Sequence, residues 1–207
     1  PDLMSLINDI GEFLKIVRAE HLYLPLFLFG HSMGGNLVLN YVIRDKSKEL
    51  SGFIVSAPWI KLAFTPPRWK EQLGKLMAHI APKIRQSNGL NSLDLSKDPE
   101  VSRLYDNDPL VNLKISAGLF AAINFGASYL MEHQSEIKLS GFVFHGQSDA
   151  IIDYKATMKL ALDNPDYIKW KLWKDVFHEA HNDFEQKEVI KEWIDWMISK
   201  IKISKVI

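Results

Sequence analysis

The stretch Leu24-Pro25-Leu26-Phe27-Leu28-Phe29-Gly30-His31-Ser32-Met33-Gly34-Gly35 decides how the chain is read. From Leu24 to Phe29 every position is apolar, on both faces of an extended chain, as in a strand covered on both sides of a parallel sheet. From Gly34 to Ile43 the apolar spacing becomes helical, and Gly52-Phe53-Ile54-Val55-Ser56 is a second short apolar run. Strand, helix and strand in so short a span predict a βαβ unit, and with it an α/β fold. Between strand and helix lies Gly30-His31-Ser32-Met33-Gly34, a G-x-S-x-G pattern. A turn this sharp predicts a strained backbone at Ser32, with its hydroxyl raised above the sheet. The small residues two positions to either side let strand and helix approach closely.

Working outward, Leu3, Leu6, Ile7, Ile10, Phe13, Leu14 and Val17 fall on one helical face, predicting a helix over about 2–20. Downstream, the spacing predicts a long helix over 114–133, a strand over 141–144 ending in His145-Gly146, and a helix over 154–162. A strand over 168–173 and a last helix from Asp183 to about Lys202 follow, with Asn182 and Glu185 placed as a capping box. Residues 58–113 differ, carrying six of the nine prolines. Trp69, Leu73, Leu76, Met77 and Ile80 mark an amphipathic helix there, 86–98 reads as a loop, and Asp98-Pro99 opens a short helix. This block reads as an insertion between two parts of one α/β core, 1–58 and 114–207.

Composition narrows the function. A length of 207 residues suits one domain with an insertion. The 25 basic and 25 acidic residues cancel, whereas a general nucleic-acid binder carries a basic excess, so no nucleic-acid partner is expected. The absence of cysteine excludes disulfides, thiolate metal sites and cysteine nucleophiles, and fits a reducing compartment such as the cytoplasm. The charge-free run from Ile115 to Met131 is shorter than the roughly 20 apolar residues of a membrane span and reads as a buried helix.

A serine hydroxyl becomes a nucleophile only when a base takes its proton and an acid orients that base. In a parallel α/β sheet both partners belong on loops after later strands. Asp149 follows the strand over 142–144, with Asp153 as the rival acid. His178 follows the strand ending near Trp173, with His181 as the rival base. Met33, just after the serine, offers a backbone N–H where charge would build on a substrate oxygen. His31 reads as structural, His145 as a residue at a strand end, and His21, His79 and His133 show no partner pattern. A metal site at His178, His181 and Asp183 is not expected, because the pattern lacks the placed glutamate of H-E-x-x-H.

These pieces resemble the monoacylglycerol lipase and lysophospholipase branch of the α/β-hydrolase superfamily. The matching segments are 30–35, Ser56-Ala57-Pro58, Asp106-Asn107-Asp108-Pro109-Leu110-Val111, His145-Gly146-Gln147-Ser148-Asp149 with Ile151, and Phe177-His178-Glu179, in family order. The resemblance implies Ser32 as nucleophile, Asp149 as acid, His178 as base, residues 59–113 as a cap over an acyl pocket, and ester hydrolysis without a cofactor. It also marks departures. The family usually has a small residue shortly before the base, where this chain has Lys174-Asp175-Val176. The family opens with further strands and a His-Gly loop that supplies a second oxyanion donor, which nothing in residues 1–24 matches. The sequence is therefore expected to be the C-terminal two-thirds of a longer enzyme.

Between Lys61 and Arg85 lie six basic residues (Lys61, Arg68, Lys70, Lys75, Lys83, Arg85) and one acidic residue, Glu71, beside the apolar face already noted. Such a helix either covers an acyl pocket with its lysines in water, or rests on an anionic lipid surface. Lipid-ester substrates reside at such surfaces, so besides the substrate the partner readings are a pocket cover, which some apolar surface must supply in any case, and peripheral membrane contact through the cap.

Overall fold

The computed structural model describes residues 2–44, 49–65 and 67–201. Its centre is a four-stranded sheet of β1 (Phe27–His31), β2 (Gly52–Ser56), β5 (Gly141–Gly146) and β6 (Ile168–Trp173), in the order β1-β2-β5-β6. Every pair is parallel, in registers such as Phe29 opposite Ile54 and Val55 opposite Val143. The helices are α1 (Leu3–Glu20), α2 (Met33–Val42), α3 (Arg68–Ile80), α4 (Pro99–Asn107), α5 (Ala117–His133), α6 (Tyr154–Leu162) and α7 (Gln186–Lys200). Strands β3 (Arg85–Ser87) and β4 (Lys114–Ser116) form a separate antiparallel pair.

Alternation along the central strands sorts the core. Phe53, Val55 and Val143 face one side with Val38, Leu39 and Val42 of α2 and Leu160 of α6. Ile54, Phe142 and Phe144 face the other with Val189 and Trp196 of α7. A strand buried on both faces must be apolar throughout, and β2 and β5 are buried at every residue. α1 closes the outside of α2 through Leu3, Ile7 and Leu14 against Tyr41. The run 115–131 lies in β4 and the buried-faced α5; among the described residues, no helix is long and apolar enough to cross a membrane.

Several expectations shift. The first strand begins at Phe27, because Pro25 has no N–H for a ladder, and it runs on to His31. Among the described strands β1 has one neighbour, β2, which leaves an apolar strand at the edge of the sheet. Phe29, 43% exposed, packs instead on the rings of Trp193 and His181. The loop expected over 86–98 is broken by β3, and the helix expected from Lys114 starts at Ala117, because 114–116 pair with 85–87. Ser116 then caps α5 by accepting from Leu119 N–H at 3.2 Å. Asp98 caps α4 as expected, accepting from Glu100 N–H at 2.9 Å. The capping box at Asn182 does not form. Residues 180–182 make a short 3-10 turn, Asn182 donates its amide to Glu179 at 2.8 Å, and α7 begins at Gln186. Position 202, at the expected end of that helix, lies outside the described residues, as do the side chains of Arg68, Lys70, Glu71 and Lys75 in α3.

Candidate active site

Loops after the strands of a parallel sheet gather at its C-terminal edge. Ser32 follows β1, Asp149 follows β5 and His178 follows β6, so all three sequence-selected residues reach the same edge.

Ser32 holds φ 53° and ψ −116°, a conformation that residues with a Cβ rarely adopt. Three bonds impose it. Ser32 N–H donates to Ser56 C=O at 3.0 Å, and Ser32 C=O accepts from Trp59 N–H at 2.9 Å and Asn36 N–H at 3.1 Å. The turn also needs glycine at Gly30, where a Cβ would lie 2.5 Å from the Gly34 carbonyl oxygen. Met33 opens α2, so its N–H has no acceptor within the helix and lies in the positive end of the helix dipole.

Asp149 is buried and saturated. Its Oδ1 accepts from Ile151 N–H at 2.8 Å and Ile152 N–H at 2.9 Å. Its Oδ2 accepts from His178 Nδ1 at 2.6 Å and from His145 Nε2 at 2.8 Å. Burial raises the carboxyl, but the hydrogen bonds from the two imidazoles outweigh it and hold Asp149 well below the usual carboxylate range. The group is an anion at neutral pH. A carboxylate only accepts, so His178 carries its proton on Nδ1 and turns an Nε2 lone pair to the other side of the ring.

The loop carrying His178 can pass close to β5 because of Gly146: a side chain there would collide with the carbonyls of Phe177 and Val176. Ser148 N–H donates to Val176 C=O at 2.9 Å, binding the loop of Asp149 to the loop of His178. The departure at Lys174-Asp175-Val176 is accommodated: Asp175 takes φ 58°, a left-handed turn that aspartate tolerates better than most residues.

The rival residues have other work. Asp153 caps α6 through Lys155 N–H at 3.0 Å and pairs with Lys61 at 3.2 Å. His181 sits in the 180–182 turn with its Nδ1 3.4 Å from Ser56 Oγ, and burial lowers it to about 4. His31 contacts the same hydroxyl at 3.3 Å and brings its ring to 4.5 Å from that of His178. Burial, with the neighbouring His178 and His181, keeps His31 far below the usual imidazole range. The structure therefore brings Asp149 and His178 into direct contact, and sets Ser32 beside them through its chain neighbour His31. No hydrogen bond joins Ser32 Oγ to His178 among the described residues; such bonds are often long before substrate is bound. Among the described residues no cluster of three or more His, Asp or Glu is arranged to hold a metal ion. Sequence reasoning missed that His145, read as a residue at a strand end, donates to Asp149. The signal available was its position four residues before the acid, across a single glycine.

A parallel sheet whose C-terminal edge carries a strained serine on a strand-to-helix turn, with a buried carboxylate–imidazole pair beside it, defines an α/β-hydrolase. The sequence model of the family described as serine aminopeptidase, S33, matches residues 1–185, and the chain belongs to that family. An uncharacterized abhydrolase domain-containing protein of Dictyostelium discoideum is 29% identical over 99% of this chain and 22% of its own length. The monoacylglycerol lipase of Mycolicibacterium smegmatis is 28% identical over 97% of this chain and 71% of its own. A soluble variant of the monoglyceride lipase of Saccharomyces cerevisiae, solved with a substrate analogue, superposes with a TM-score of 0.86. It is 25% identical, covering 99% of this chain and 72% of that one.

Proposed function

We propose that the chain is a serine ester hydrolase that cleaves the acyl ester of a monoacylglycerol or lysophospholipid, with Ser32 as nucleophile, His178 as base and Asp149 as orienting acid. The observation that carries this reading is the 2.6 Å hydrogen bond from His178 Nδ1 to Asp149 Oδ2, at the sheet edge that also bears Ser32. The free Nε2 of His178 takes the Ser32 proton as the hydroxyl attacks the ester carbonyl. Charge on the tetrahedral oxygen is met by the Met33 N–H and the start of α2. His178 then protonates the leaving glycerol oxygen, an acyl-serine ester remains, and water repeats the two steps to free the fatty acid. Asp149 stays ionised throughout, fixing the tautomer and stabilising the imidazolium.

Residues 59–113 act as the cap. Trp69, Leu73, Leu76 and Ile80 of α3 are exposed, and such an apolar face suits an acyl chain or the lipid surface that holds it. The similarity to named monoacylglycerol lipases supports a glycerol ester over a small ester. The test is a panel of monoacylglycerols and lysophospholipids of graded chain length against aminoacyl amides, each with Ser32→Ala as control. Release of fatty acid that rises with chain length and vanishes in the control is expected. Cleavage of the amides alone would make the chain a peptidase.

A further inference from the structure

His145 is a fully buried imidazole that takes no part in the scheme above. Its Nε2 lies 2.8 Å from Asp149 Oδ2, and its Nδ1 lies 3.0 Å from Thr157 Oγ1 on α6. Oδ2 is the same oxygen that accepts from His178 Nδ1. A carboxylate cannot donate, so the His145 proton sits on Nε2. Burial lowers His145 and keeps the ring neutral, which leaves a lone pair on Nδ1 and makes the Thr157 hydroxyl the donor there.

Two N–H groups thus draw on one carboxylate oxygen. Charge that His145 takes up is withheld from His178. We propose that His145 is a positioning residue that shares Asp149 with His178 and so sets how tightly the base holds its proton; the inference rests on the triad reading above. When His178 becomes an imidazolium it draws harder on Oδ2, and the bond from His145 slackens. When His145 is removed, Asp149 acts on His178 alone, and the base frees its lone pair only at higher pH. The other groups facing His178 are His31 from β1 and His181 from the 180–182 turn, and Asp183 holds the same loop by accepting from Phe177 N–H at 3.3 Å. All three remain in the variants used here, so a shift reports on His145.

The test compares the whole chain with His145→Leu, which removes the donor, and His145→Gln, which restores an N–H near the Nε2 position. One readout is the rate of fluorophosphonate labelling of Ser32 against pH; the other is nitrogen and proton NMR of the imidazoles. In His145→Leu the acid limb of the labelling profile is expected to move up by on the order of one pH unit, and in His145→Gln to return most of the way. A limb that stays in place in His145→Leu, or moves equally in both variants, overturns the proposal and leaves His145 a packing residue. The unaltered chain gives an independent check that survives any folding failure of the leucine variant. The His145 proton is expected on Nε2, and its resonance should move upfield as His178 protonates. A proton on Nδ1, or one indifferent to His178, overturns the proposal. Failure of the unaltered chain to label at Ser32 at any pH would instead sink the triad reading, and the NMR response would still decide whether the carboxylate is shared.

Discussion

Ser32 sits at φ 53° and ψ −116°, where a Cβ costs on the order of 1–3 kcal/mol and the surrounding bonds must supply it. The hydroxyl is held in place at the expense of stability. Comparing two variants that both lack it isolates that cost: Ser32→Gly is expected to unfold about 1 kcal/mol later than Ser32→Ala in urea, since only glycine is unstrained there. Equal stabilities would mean the turn is not strained. The buried histidines give a second residue-scale expectation. His181 is lowered from an ordinary 6.5 to about 4 by burial, so it stays neutral in the fold while the unfolded chain protonates. Its contribution is complete above pH 6.5 and is lost as pH falls toward 4, on the order of 3 kcal/mol in all. Replacing it by glutamine should flatten the fall of stability between those pH values; an unchanged slope would place the titration elsewhere. Asp149, also depressed, acts only at lower pH, its contribution being lost as pH drops below the usual carboxylate range. That Ser32, Asp149 and His178 reach one edge of the sheet was legible because each follows a strand. The partnership of His145 was not read, because its only signal, a place four residues before Asp149, does not say which way the ring of a strand-end histidine turns.

Among the elements, the meeting of β5 with the loop after β6 matters most. Gly146 lets that loop cross the strand end, and a methyl group there would meet the Phe177 and Val176 carbonyls, which cannot move without carrying His178 away. Gly146→Ala should therefore cost about 3 kcal/mol and lower labelling of Ser32 even at temperatures where the variant remains folded. Full labelling of a folded Gly146→Ala would show that the loop has room to spare. Most elements could be read from periodicity: α6 and β6 fall at the expected residues, and Asp98 caps α4 with its own side chain. The errors share a cause. β3 and β4 are three residues each and exist only because 85–87 meet 114–116 across the chain, which local spacing cannot announce. The Asn182 cap failed because the loop after His178 tightens into a 3-10 turn before α7, and Asn182 is spent on Glu179.

Across the whole molecule, residues 95–97 are joined to the loop that follows His178. Glu179 N–H donates to Leu95 C=O at 2.8 Å, Ser96 Oγ donates to Asn182 C=O at 3.2 Å, and Lys97 pairs with Glu185 at 2.7 Å. Residues 95–97 are thus anchored beside His178, while α3 exposes Trp69, Leu73, Leu76 and Ile80. Burying one leucine is worth about 1.5–3 kcal/mol. Leu73→Ser with Leu76→Ser should then weaken binding to anionic vesicles at least tenfold, followed by sedimentation, with labelling in free solution unchanged. Undiminished binding would return the face to the role of a pocket cover. The α/β architecture was legible at this scale because a strand apolar on both faces, followed by a tight glycine-flanked turn, fits few other folds.

The central claim is that Ser32 is activated by the imidazole–carboxylate pair, and fluorophosphonate labelling read by intact mass tests it most directly. One adduct per chain is expected at neutral pH. It should be absent in Ser32→Ala and slowed about ten-thousand-fold in Asp149→Asn, where the tautomer of His178 is no longer imposed. An adduct that persists in Ser32→Ala, or one that forms equally fast in Asp149→Asn, would contradict the account.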